Sequence, residues 1–136
     1  MERIHVIFLF ILTFLFGQFD WQDNGAIIRQ GLHIEWQRTG DSNADGSMIY
    51  AWSDCRNNGV RDVIAQKVDA DGNNLWGDNG VVAVTAAGRQ EDPQLVTDGA
   101  GGAYIIWMDY RDETDAEGDI YAQHVLNDGT IMSGWP

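Results

Sequence analysis

The sequence predicts an all-β protein of two repeated four-stranded antiparallel units behind an apolar leader. Three observations lead there. The chain repeats on itself: Trp21-x-Asp23-Asn24-Gly25 recurs as Trp76-x-Asp78-Asn79-Gly80, and Trp52-x-Asp54-x-Arg56 recurs as Trp107-x-Asp109-x-Arg111, both at an offset of 55. Short β-branched and aromatic runs alternate with Gly, Asp and Asn clusters. After the leader, no window sustains a helical period.

The leader comes first in the chain. Val6 to Phe16 is an unbroken apolar run of 11 residues behind Met-Glu-Arg-Ile-His. A bilayer-spanning helix needs about 20 apolar residues, and Gln18, Asp20, Gln22 and Asp23 follow at once. Residues 1–17 therefore read as a signal peptide with its helical h-region, cut after Gly17, which places the protein outside the cell or on its surface. No Cys follows the run, so no lipid-attachment site is expected.

The first repeat spans 18–75, with strand candidates at Gly25–Gln30, His33–Arg38, Ser47–Asp54 and Asp62–Val68. The second spans 76–136, with candidates at Gly80–Ala87, Pro93–Asp98, Ala103–Tyr110 and Asp119–Leu126. "DVIAQKVDADG" at 62–72 reappears as "DIYAQHVLNDG" at 119–129 with an offset of 57, so two residues have been inserted between the two motifs. Four antiparallel strands per unit is the content of a β-propeller blade. A β-sandwich of eight strands is the alternative. The Asp71-Gly72 and Asp128-Gly129 pairs read as two-residue hairpin turns. The chain stops at Trp135-Pro136 where a third copy would open, so a longer array or self-association through exposed blade edges is expected.

The combination D-G-x-G-G-x-x-x-x-W-x-D-x-R, then D-I-Y-A-Q, then D-G-x-x-x-W resembles the propeller-like tandem repeats of large secreted and cell-surface bacterial proteins. The resemblance covers residues 20–136. It implies long arrays and leaves the biochemical role open. The first copy departs at "DSNADGS", and Trp36 and Arg38 stand where the second has Glu91-Asp92-Pro93.

Charge narrows the partners. The net charge is −13, and Lys67 is the one lysine. Such a surface repels nucleic acid and anionic membranes. Cys55 is alone, so no intrachain disulfide holds the fold. Its place in the motif reads as a small buried hydrophobe in a strand.

For the Trp-Asp-Arg motif, a hairpin register in which paired residue numbers sum to 118 places Arg56 opposite Asp62 and Trp52 opposite Gln66. A sum of 230 does the same for Arg111 with Asp119 and Trp107 with Gln123. One register thus serves both copies, with the insertion confined to the loop. On this reading an Arg–Asp cross-strand pair closes the hairpin and the Trp supplies packing. The binding reading makes Trp52 and Trp107 sugar-stacking platforms, with Asp54, Arg56, Asp109 and Arg111 as hydroxyl partners. The structural reading is preferred, because each unit of a repeat must bury the same face against its neighbour.

Two acidic segments invite a metal. "DSNADG" at 41–46 opens like a calcium loop, but Trp52 stands where a bidentate Glu is required, so it reads as a polar turn. Asp112, Glu113, Asp115, Glu117 and Asp119 crowd one hairpin tip, where hard oxygen ligands favour calcium. A solvated tip with calcium affinity no tighter than ~1 mM is the expectation. No other cofactor is implied. No phosphate loop, zinc cluster or nucleophile elbow is present, so the sequence reads as a non-catalytic module for binding or surface display, its partners further repeats, a glycan or a surface protein. The alternative is a fragment of a polysaccharide-processing propeller enzyme.

Overall fold

A computed structural model describes residues 25–30, 35–57, 59–112 and 117–135. The signal segment lies outside the described residues. Among the described residues all regular structure is β, arranged as two antiparallel sheets. The first contains β1 (Glu35–Ser42), β2 (Met48–Asp54), β3 (Asp62–Val68) and β4 (Val81–Val84). The second contains β5 (Gln90–Thr97), β6 (Ala103–Asp109) and β7 (Asp119–Val125). Both are meanders in which neighbours in sequence are neighbours in the sheet. Val81–Val84 therefore completes the first sheet, although the sequence repeat places it at the head of the second copy.

Alternation along β6 explains how the sheets meet. Ala103, Ile105, Trp107 and Asp109 are buried, while Tyr104 and Ile106 between them are exposed, as expected of a strand with one face in the core. That inner face packs on Ile49, Ala51, Val63 and Ala65 of β2 and β3, and Trp76, Ala83 and Val125 close the cluster. Strands β2 and β3 are buried along almost their whole length, as befits a sheet covered on both faces. Polar ties reinforce the contact: Thr97 donates through its backbone N–H to Asp41 Oδ2 at 3.0 Å, and Ser53 Oγ donates to the Gln90 carbonyl at 3.2 Å.

Several expected boundaries move, each for a local reason. Residues 25–30 form no strand; the carbonyls of Ile27 and Ile28 accept the Asn74 side-chain amide rather than a ladder partner. β4 is cut to four residues. It begins only after Gly80, whose φ of +73° and approach to the Ala65 carbonyl (2.3 Å from a hypothetical Cβ) exclude any other residue there. β5 starts three residues before Pro93 because a bulge between Glu91 and Gln94 admits the proline, with Asp92 at φ +52°. β1 carries the same bulge between Trp36 and Arg38, with Gln37 at φ +47°.

The tight turns differ from the two-residue form. Asp69 donates to the Asn73 carbonyl at 3.0 Å and Gly72 to the Asp69 carbonyl at 3.1 Å, enclosing three residues with Gly72 left-handed. The loop from Leu126 to Thr130 repeats this with Gly129. This is the three-residue hairpin loop, which needs its glycine at the third loop position. "DSNADG" forms the same turn between Asn43 and Ser47, with Asp45 accepting both the N–H and the hydroxyl of Ser47. Cys55 lies one residue past β2 and is half-buried rather than buried, because the strand ends at Asp54.

Candidate functional site: the Trp-Asp-Arg lock

The register differs from expectation by one step of the pleat. Asp54 pairs with Asp62, Trp52 with Ile64 and Tyr50 with Gln66. In the second sheet Asp109 pairs with Asp119 and Trp107 with Tyr121. Both copies shift by the same two residues. Because the side-chain period is two, the face is preserved while every partner changes. Arg56 and Arg111 fall beyond the strand ends and do not reach Asp62 or Asp119 as cross-strand partners.

Each arginine instead turns back on the aspartate two residues before it. Asp54, with a fully buried side chain, accepts the Trp52 indole N–H at 3.1 Å, the Arg56 backbone N–H at 2.7 Å and the Arg56 Nε–H at 2.9 Å, plus a second guanidinium N–H. Asp109 accepts the Trp107 indole N–H at 2.8 Å, the Arg111 backbone N–H at 2.9 Å and two guanidinium N–H groups at 3.0 and 2.6 Å. The bidentate fork of Arg suits this geometry, as a Lys ammonium would not. Arg56 also donates to the Asn79 carbonyl at 2.7 Å, joining the motif to the loop before β4. Arg111 lies over the Tyr121 ring at 3.7 Å. Asp62 is satisfied separately, by the Asn57 side-chain amide at 2.8 Å.

The electrostatics follow. Burial pushes the Asp54 and Asp109 carboxyls up, but the arginine side chain, the indole N–H and the arginine backbone N–H together outweigh it, and both stay below the ordinary aspartate range. The indole rings are 4% and 3% exposed, so neither presents its face to solvent. Coupling between Arg56 and Asp54 should accordingly exceed the ~0.2–1 kcal/mol of an exposed cross-strand pair. Alanine double-mutant cycles in urea denaturation should give about 1.5–3 kcal/mol for Arg56 with Asp54, the range for hydrogen bonds to charged groups. Arg56 with Asp62 should be additive within about 0.5 kcal/mol.

Of the other proposed residues, three are described. Glu113 and Asp115 lie outside the described residues, while Asp112, Glu117 and Asp119 are exposed. Among the described residues no three His, Cys, Asp or Glu side chains converge. Sequence reasoning missed a second cluster. His124 Nε2 lies 2.8 Å from Asp98 Oδ2 and Nδ1 lies 3.0 Å from Met132 Sδ, with the ring stacked on Tyr104 at 4.3 Å. The signal was its offset of 57 from Lys67, whose ammonium crosses to the second sheet and donates to the Gly101 carbonyl at 2.8 Å and Asn127 Oδ1 at 2.6 Å. Comparison of the chain with protein-family models, curated proteins and solved structures gives no match.

Proposed function

We propose that the chain is a non-catalytic β-repeat module of propeller type, exported from the cell and acting there in binding or display. One observation carries the reading: the motif that sequence singles out is spent in both copies on a closed lock, with Asp54 and Asp109 each engaged by the Trp two residues before and the Arg two residues after, and Asp54 also by Arg29 Nε at 3.4 Å. A carboxylate so engaged is poorly placed to move protons or attack a substrate. The two meanders that carry equivalent locks support reading each as a blade, the first with four strands and the second with three. The leader of 1–17 and the acidic surface support export and a partner that is neither nucleic acid nor anionic membrane.

A glycan array run beside a panel of glycoside hydrolase substrates tests this. Retention of a glycan without turnover is the expected result. Turnover abolished by a single carboxylate substitution would show the module to be part of an enzyme.

A further inference from the structure

The cluster around His124 sets a soft donor pair side by side. Its Nδ1 lies 3.0 Å from the thioether sulfur of Met132. The main chain brings the two together, because the Met132 N–H donates to the His124 carbonyl at 2.9 Å beside the bridge of Val125 with Ile131. The first repeat builds the same contact, Leu75 N–H to the Lys67 carbonyl at 2.8 Å beside the bridge of Val68 with Asn74. Both positions match at the repeat offset of 57, so His124 stands where the first copy has Lys67 and Met132 where it has Leu75. The backbone thus takes this form with lysine and leucine as well. Packing alone leaves the pairing of an imidazole with a thioether unexplained.

The far side of the ring fixes its tautomer. Asp98 Oδ1 accepts the backbone N–H groups of Ala100 and Gly102 at 2.7 and 2.9 Å, while Oδ2 faces His124 Nε2 at 2.8 Å. With three N–H groups around it the carboxyl is the ionised, accepting form, so Nε2 carries the ring hydrogen. A neutral imidazole then has its lone pair at Nδ1, directed at a sulfur that brings no hydrogen of its own. Two electron-rich atoms in contact without a proton between them are complemented by a cation. A carboxylate behind a histidine is also the arrangement that orients imidazole toward metals and raises its basicity.

The donors select the metal. Calcium and magnesium take oxygen ligands, and zinc takes thiolate, imidazole or carboxylate, whereas thioether sulfur beside imidazole suits monovalent copper. Both donors are neutral, so a monovalent cation is balanced by the single charge of Asp98. The ring is sheltered by Tyr104, stacked at 4.3 Å, and by the edge of Trp135 at 5.8 Å, while Met132 is 42% exposed and gives the ion a way in. We infer that His124 Nδ1 and Met132 Sδ bind one Cu(I) ion, with Asp98 positioning the imidazole. Two protein donors leave a further coordination position on the exposed Met132 side. The site shares no residue with the Trp-Asp-Arg lock and is independent of any glycan.

Anaerobic titration of the full chain with Cu(I) against a colorimetric Cu(I) chelator is the test. Every sample carries Cys55→Ser, because a thiol takes copper in its own right. The expected result is one equivalent of Cu(I) withdrawn from the chelator, undiminished by added zinc or calcium. Asp98→Asn should weaken binding about 10–100-fold, as loss of a group that orients a ligand does. The asparagine keeps an oxygen for the turn but offers an N–H to Nε2, which moves the ring hydrogen to Nδ1; nitrogen NMR of the ring reads this directly. Met132→Leu keeps the size and the backbone contact, so it should melt as the parent does and weaken binding by more than Asp98→Asn. Met108→Leu is the control and should bind as the parent. A parent that withdraws no Cu(I), or a Met132→Leu variant that withdraws as much as the parent, would overturn the inference. A ring protonated on both nitrogens at neutral pH would also overturn it, by showing that Nδ1–H donates to the sulfur. Glycan retention should be the same with and without Met132→Leu, which keeps this site and the binding role separately testable.

Discussion

Arg111→Ala should lower the free energy of unfolding by about 1.5–3 kcal/mol, the range for hydrogen bonds to a charged group, because the carboxylate is buried while the Arg111 side chain is itself 37% exposed. The side chain left behind is the Asp109 carboxylate, which has no solvent exposure and keeps only the Trp107 indole and one backbone N–H. An exposed ion pair would cost less than ~1 kcal/mol, so the size of the effect separates a lock from a surface contact. Urea denaturation reads it as a fall in midpoint with an unchanged slope. A loss below about 1 kcal/mol would mean that water replaces the guanidinium without penalty. The pH dependence has a definite sign. Asp109 is held below its ordinary value of 3.8 in the folded protein, so its contribution is fully present above that value and disappears as pH falls through the lowered folded value. In Arg111→Ala that acid limb should move to higher pH, because the guanidinium no longer opposes protonation.

Trp107→Ala should cost more, about 3–5 kcal/mol, the range for deleting a large buried aromatic side chain. The ring is 3% exposed in the cluster between the sheets and stacks on Tyr121 with centroids 6.3 Å apart. Its removal leaves a void and also leaves Asp109 short of one donor. Trp107→Phe retains most of the packing and loses the N–H, so it should cost about 1–3 kcal/mol, the penalty for a buried polar group short of a partner. Ile106→Ala, one residue away and on the open face, should change stability by no more than about 0.5 kcal/mol. Thermal denaturation of the three variants orders them directly. Equal costs for Trp107→Ala and Ile106→Ala would contradict the assignment of inner and outer faces.

Much of this architecture was written in period two. Ala103–Asp109 and Asp62–Val68 alternate or run apolar between turn residues, and the strands occupy those positions to within a residue or two. The register was not legible. Its two-residue error came from assigning the arginine to a partner across the hairpin, whereas a side chain just past a strand end reaches its own strand's aspartate as easily. The faces survived the error because a shift of two returns each side chain to the same side. The bulges at Gln37 and Asp92 were equally hidden, since neither residue advertises a left-handed backbone as glycine does. Residues 25–30 look like a strand in composition, yet they lie over Tyr50 and Trp52 and give carbonyls to the Asn74 side chain instead of to a sheet edge, which composition does not show. As for the site, the motif stood out in the sequence while its use did not, because Trp, Asp and Arg serve equally to bind a sugar and to close a strand end. The His124 cluster was invisible until the sheets were placed, being assembled from β6, β7 and the turns after β5 and β7.

The single lysine has a practical consequence. Lys67 is 3% exposed, and its ammonium is tied to the second sheet. Reagents that acylate primary amines, and proteases that cut after lysine, therefore find no accessible side chain on the folded molecule and must wait for the two sheets to part. The rate at which such a reagent consumes Lys67 is a chemical clock for that separation, built into the chain without any label.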